Sequence, residues 1–284
     1  MSRFCEDDSQ LETYPNGLIG KPRGAEEPFI RCLQWGDNLP KEEENQAFST
    51  VNDLLTTLST SQSRLRVVFL PIVPLEAEAE QFRELFRHYS IPSAVPAERM
   101  RNVSHAFGAS TPLRKDLEFA WFHFLCRNVE VDDKGQIVDL GYLQESHKKG
   151  TWQDDPGRLW IMCDFFMHVK PPSTNSAAQS TVTLLCFGPP DNVFTRFRGL
   201  LGRESWRDIP KEPYLLFDLL FNDLHESYDK AVWKLSKAVN PAEKEALERA
   251  GELGNHGRDF SSFSFRPLHN IQKYLSLSFV AYYG

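Results

Sequence analysis

The chain has 284 residues, 41% of them hydrophobic and 12% aromatic, with 21 Phe, so it can fill a substantial core and is not a disordered protein. A net charge of −7, with no dense Lys/Arg run, argues against nucleic acid as a partner. The five cysteines form no CxxC pair, and Cys126, Cys163 and Cys186 sit in apolar runs, which favours a reducing, cytoplasmic setting over a disulfide-built one.

The opening MSRFCEDDSQLETY lacks the apolar core of a signal peptide. The last apolar stretch, Leu275 to Tyr283, is far short of the roughly 20 residues of a membrane span. Residues 1–45, rich in Gly, Pro, Asp and Glu, predict an irregular lead-in with anchors at Phe29, Ile30, Leu33 and Trp35. Within it NGLIGKPRG lacks the spacing and the Ser/Thr of a phosphate loop.

Ser49 or Thr50 can cap a helix from Val51 to about Leu58 with Leu54 and Leu55 inward. RLRVVFLPIV, residues 64–73, is nearly continuous apolar sequence from Val67 and predicts a central strand covered on both faces. Glu76 to Tyr89 follows as a helix with Ala79, Phe82, Leu85 and Phe86 on its core side, and this αβα opening predicts a sheet with helices packed on it. Residues 90–113, broken by Pro92, Pro96 and Pro112, read as a loop or short helical pieces.

Phe119 to Val131 predicts a strand, with a turn at Asp132–Gly135 and a return through Gln136 to Leu140. Arg158 to Val169 alternates, placing Leu159, Ile161, Cys163, Phe165, Met167 and Val169 on one face and Trp160, Met162, Asp164, Phe166 and His168 on the other. Thr181 to Phe187 is its antiparallel partner, and Asp191 can cap the helix that follows through Val193, Phe197, Leu200 and Leu201.

Asp164 and His168 would share a strand face, with His123 alongside if its strand pairs there. Such a set could be an Asp orienting a His, or two His ligating a metal. A buried histidine satisfied by a neighbouring acid is the commoner arrangement. No GxSxG elbow, HExxH pair or glycine-rich phosphate fingerprint occurs, and no residue is assigned a catalytic role.

Glu212 to Val239 carries apolar residues at Phe217, Leu220, Phe221, Leu224, Tyr228, Ala231, Val232, Leu235, Ala238 and Val239, one stripe of a helix of period 3.6. Pro213 suits its first turn, and Asn240-Pro241 should end it, with a second helix from Pro241 to Leu253. The opposite face holds Asp218, Asn222, Glu226 and Asp229, spaced four, four and three. A solvated face is the ordinary reading of such a row; the sharper one is a weak site for a hard cation such as Mg²⁺. PLHNIQKYL, residues 267–275, is again helical in pattern, and SFVAYYG ends the sequence in apolar residues without a polar cap, as in an element cut partway.

Together EPYLLFDLLFNDLHESYDKAVWKLSKAV, PLHNIQKYL, FHFLCRNVEV, RLWIMCDFFMHV and LLCFGPPDNVFTRFRGLL resemble the cytoplasmic amino-terminal region of fungal CorA-like divalent-cation transporters, over about residues 65–276. The resemblance implies an α/β fold, a mixed sheet covered by helices and followed by long C-terminal helices. It further implies a stalk, two membrane helices with a Gly-Met-Asn signature, and a homopentamer passing Mg²⁺. This sequence holds no Gly-Met-Asn and no apolar span, so a pore is not expected of it. The expected organisation is a lead-in over 1–45, an α/β sheet domain over 46–205, and long helices with the start of a truncated stalk over 206–284.

The expected function is that of a soluble cytoplasmic domain, a regulatory or Mg²⁺-sensing relative of the transporters and not an enzyme. Its partners would be further copies of itself or longer CorA-like subunits. Two readings compete with it. One is a cytosolic interaction module without cation function, whose apolar end, Tyr274 to Tyr283, seeks a partner helix. The other is a metal- or His-dependent enzyme built on His123, Asp164 and His168.

Overall fold

The apolar run after Ser63 becomes the middle of a seven-stranded mixed sheet. The computed structural model describes residues 30–72, 78–92, 95–96, 105–110, 118–127, 130–132, 137–138, 160–170 and 180–256. The described strands are β1 (Ile30–Trp35), β2 (Asn45–Phe48), β3 (Leu65–Leu70), β4 (His105–Ser110), β5 (Glu118–Arg127), β6 (Glu130–Val131), β7 (Ile137–Val138), β8 (Trp160–Lys170) and β9 (Thr181–Phe187). The helices are α1 (Val51–Thr60), α2 (Ala79–His88), α3 (Asp191–Arg198) and α4 (Leu215–His256). The large sheet runs β2-β1-β3-β9-β8-β5-β4, and β6 and β7 make a separate two-stranded ladder. The fold is α/β, as the residue patterns predict.

The described residues form two compact units. The first takes those up to Leu125 together with Ile161–Asp223; the second takes residues 126–127, 130–132, 137–138, 160 and 224–256. In the first, β3 and β9 pair in parallel from Leu65↔Val182 to Leu70↔Phe187, while β1 flanks β3 and β8 flanks β9 antiparallel. Both central strands are buried on both faces, hence their lack of polar alternation.

One face packs under α1 and α2: Ile30, Cys32, Val68, Leu70, Leu185, Phe187, Phe166, Phe119 and Trp121 meet Leu54, Leu58, Phe82, Leu85 and Phe86 in one core. Thr50 caps α1, its hydroxyl oxygen accepting from the Asp53 N–H at 3.1 Å. The other face packs under α3 and the start of α4. Phe69 meets Phe194 and Phe197 edge-on at 5.0 and 6.2 Å, and Phe122 meets Phe221 at 5.0 Å. Arg196 of α3 grips the buried Asp223 carboxylate through two nitrogens, and Asn192 donates to the Asp223 carbonyl at 3.4 Å.

Several expectations are corrected. The stretch read as an irregular lead-in carries β1, which sits between β2 and β3; its short apolar run is masked in the sequence by Gly, Pro and acidic neighbours. His105–Ser110, read as loop, is strand β4 on the sheet edge beside β5. Its small residues carry no period, and Gly108 lies so close to the Trp121 indole that a Cβ there would fall 2.4 Å from the ring. Asp191 is not the cap of α3: Pro190 holds that position in extended conformation, and Asp191 lies in the first turn, where its charge suits the helix dipole.

α4 does not stop at Asn240-Pro241 but continues through Pro241 to His256. A proline there removes one hydrogen bond, whereas the sequence on both sides is rich in Ala, Leu, Glu and Lys, which favour helix. The apolar stripe is also not uniformly buried: Phe217, Leu220, Leu224 and Ala238 are buried, whereas Phe221, Tyr228 and Val232 are exposed. PLHNIQKYL and the apolar end at Tyr274 to Tyr283 lie outside the described residues.

The turn from β9 into α3 depends on Gly188, whose φ is +61° and whose N–H donates to the Leu70 carbonyl at 2.8 Å. A Cβ there would fall 2.5 Å from Ile72 Cβ and 2.9 Å from the Met162 carbonyl oxygen. Gly188→Ala should therefore cost about 3 kcal/mol, from left-handed strain and overpacking together, read as a lower urea midpoint with an unchanged slope.

Candidate functional site

Polar side chains gather on the sheet face that α1 and α2 cover. Register brings four of them into a single row across neighbouring strands: Gln34 of β1 opposite Arg66 of β3, Arg66 beside Thr183 of β9, and Thr183 opposite His168 of β8. Gln34, fully buried, is saturated. Its amide donates to the Glu43 carbonyl and to Gln46 Oε1 at 3.3 and 3.1 Å, and its oxygen accepts from Ser61 and Ser63 at 2.8 and 2.9 Å. Ser63 Oγ in turn accepts from Arg66 Nε at 2.6 Å, and Arg66 Nη2 donates to the Ser61 carbonyl at 2.9 Å. The guanidinium is thereby fixed in place, half-buried, between Gln34 and Thr183 in the row.

Tyr89, the residue that ends α2, closes over this row. Its ring stands edge-on to His168 at 5.6 Å. Its hydroxyl is buried beside the Arg66 and Thr183 side chains, which act on it as hydrogen-bonding neighbours. Burial pushes the phenol up to about 12, opposed by the Arg66 charge, and pushes the Cys32 thiol up to about 12 against the same charge. His168 goes the other way. Burial first, then the positive charges of His88 and Lys170, bring it down to about 4, so its imidazole is neutral at pH 7.

His123 and Asp164 form the second cluster. The alternation in β8 and the place of β5 next to β8 bring His123 Nδ1 onto Asp164 Oδ1, both side chains being buried. His123 Nε2 is buried without a partner. His168, two residues along β8 from Phe166 on the same face, faces Tyr89 rather than this pair. The structure thus joins two of the three residues singled out in the sequence and sends the third to the polar row.

The acidic row on α4 is solvent-facing: Asp218, Asn222, Glu226 and Asp229 are all exposed, and Glu226 pairs with Lys230 at 2.7 Å. Asp223, which flanks that row, is the buried carboxylate, held by Arg196. Among the described residues no group of three or more His, Cys, Asp or Glu is placed to hold a metal ion, and no described helix is long and apolar enough to cross a membrane. The sequence patterns did not single out Arg66, Thr183 or Tyr89; Arg66 stands just before the apolar run that begins at Val67.

His168 gives a pH test. Its folded value of about 4 lies below the unfolded 6.5, so the unfolded chain takes up its proton first as pH falls. Its contribution to stability is complete above pH 6.5, declines below it, and is gone once pH drops through 4, at a slope of up to about 1.4 kcal/mol per pH unit. Thermal melts from pH 7.5 to 4.5 should show a smaller loss for His168→Gln than for the parent chain; equal losses would assign the acid sensitivity to other groups.

No family profile matches the sequence, and no curated protein or solved structure is significantly similar to it.

Proposed function

We propose that this chain is a cytoplasmic domain of the CorA-like divalent-cation transporter type, with a regulatory role sensitive to Mg²⁺. The observation that supports the reading most is architectural. A seven-stranded mixed sheet, covered by helices on both faces, hands the chain to a single 42-residue helix, the kind of order the resemblance implies. Around it, the FHFLCRNVEV, RLWIMCDFFMHV and LLCFGPPDNVFTRFRGLL segments occupy β5, β8 and β9 with α3.

A cation would meet Asp218, Asn222, Glu226 and Asp229 as separate exposed oxygens, with Glu226 already shared with Lys230. Mg²⁺ is commonly held this way, through one or two carboxylates with most of its water retained, so each copy supplies part of a shared site in an assembly. Binding to the folded form alone then raises stability by about 1.4 kcal/mol at ten times the dissociation constant. Melting curves across the millimolar range of Mg²⁺ should move upward, and a variant carrying Asp218→Asn, Glu226→Gln and Asp229→Asn should not respond. A parent curve indifferent to Mg²⁺ would remove the cation role and leave an interaction module with the same fold.

A second reading, a His-dependent enzyme, draws on the His123–Asp164 pair. Asp164 orients the imidazole and leaves Nε2 uncommitted, which is half of a general-base arrangement. The other half, a hydroxyl or thiol within hydrogen-bond reach of Nε2, has no counterpart among the described residues. The pair serves better as an anchor between β5 and β8.

A further inference from the structure

The large sheet ends in two edges that the chain treats differently. β2 is four residues long, and its one large apolar side chain, Phe48, is buried. β4, at the other end, is longer, and its sequence HAFGAS contains no proline, no lysine and no carboxylate. Proteins ordinarily guard an edge with such residues, because its outward N–H and C=O groups accept any extended chain. Among the described residues β4 has β5 on one side and no strand on the other. The aromatic side chains beside this edge are uncovered. Phe107, opposite Phe122 in the register, is 56% exposed, and Ala109 is exposed with it on the same face. The start of α4 reaches this face: Phe217 stands edge-on to Phe107 at 6.2 Å, stacks with Phe221 at 5.9 Å and meets Tyr214 at 6.1 Å. Phe107, Tyr214 and Phe221 are the exposed large hydrophobic side chains among the described residues of the first unit, and all three fall in this one patch. The charge beside it is negative. Burial, then the charges of Glu118 and Glu212, raise the Tyr214 phenol above its usual value, whereas Lys211 is engaged by Asp208 at 2.9 Å.

We propose that the outer edge of β4 docks an extended, basic segment of another protein. The segment joins the sheet as a further strand, laying apolar side chains on Phe107, Tyr214 and Phe221 and lysine or arginine beside Glu118 and Glu212. Backbone pairing supplies affinity that any extended sequence could use, and the side chains at alternate positions supply the selection. The aromatic patch takes the apolar ones. The two carboxylates take the cations, whose approach over the open rings adds a cation–π contribution. A second copy fits this edge poorly, because it would bring the same two carboxylates and a chain charge of −7 against their like. Neither Glu118 nor Glu212 belongs to the acidic row on α4, so the inference stands or falls apart from the cation reading.

The test is fluorescence anisotropy of a short labelled peptide that alternates lysine with valine or phenylalanine, titrated with the full chain in a chelating buffer so that no divalent ion contributes. Saturable binding that weakens as salt rises is expected. The same peptide with glutamate in place of lysine should bind at least about tenfold less tightly. Methylating alternate peptide nitrogens, which removes the donors a strand needs, should weaken binding by a similar factor. Phe107→Thr keeps strand propensity and removes a largely exposed ring, so it should melt close to the parent while binding the peptide at least about tenfold less tightly. Glu118→Gln combined with Glu212→Gln should weaken binding several-fold and flatten its salt dependence. Hydrogen exchange at the β4 amides, His105–Ser110, should slow when peptide is bound. Absence of saturable binding overturns the proposal, as does binding that the glutamate peptide, the methylation and Phe107→Thr all leave unchanged. Sedimentation showing self-association that protects the β4 amides also overturns it, by giving the edge to a second copy. Amides already protected on this edge in the free monomer do the same, by giving it to a segment of this chain.

Discussion

The parallel pairing of β3 with β9 is the constraint from which the rest of the fold follows. Val67, Phe69, Leu184 and Cys186 point to one side and Val68, Leu70, Leu185 and Phe187 to the other, all of them buried. Each such side chain left in water would forgo roughly 2 kcal/mol, so neither face can stay bare. The chain answers with α1 and α2 on one side, and α3 with the first turns of α4 on the other. The Arg196–Asp223 pair then holds the first turns of α4 against α3, since a carboxylate buried to 2% tolerates few other positions once its guanidinium is set.

Against so apolar a sheet, its polar members are informative because each must be matched to be tolerated. Gln34 and Ser63 are matched completely within the protein, and their effect is to hold Arg66 still. His123 Nδ1 and Asp164 are matched to one another and tie β5 to β8 across the sheet, whereas His123 Nε2 is buried without a partner.

Much of this was legible in the residues. β8 alternates so strictly that its two faces could be assigned outright, and Asp164 and His168 fell on the correct side. β3 announced itself as a doubly covered strand by the absence of polar alternation, and β9 was legible as the antiparallel partner of β8. β1 and β4 were not legible: a six-residue strand among glycines and acids, or one built of Ala, Gly and Ser, has no period to detect. Pro241 misled because a local preference against helix was outweighed by strong helix formers around it. The polar row was beyond sequence reading for a different reason. Its members come from four strands, and only the register of three separate pairings makes them neighbours.

The β3–β9 ladder also sets a temporal order on the molecule. Leu65 finds its partner Val182 more than a hundred residues further along, so this seam closes late, after a large loop entropy has been met. During synthesis β1 and β3 can join early as near neighbours in the chain, but β3 then presents an open, largely apolar edge until β9 emerges. For that interval the nascent protein carries a strand hungry for any passing backbone. Its safe passage through the cell depends on how quickly translation, or a chaperone holding the gap, brings residues 181–187 into place.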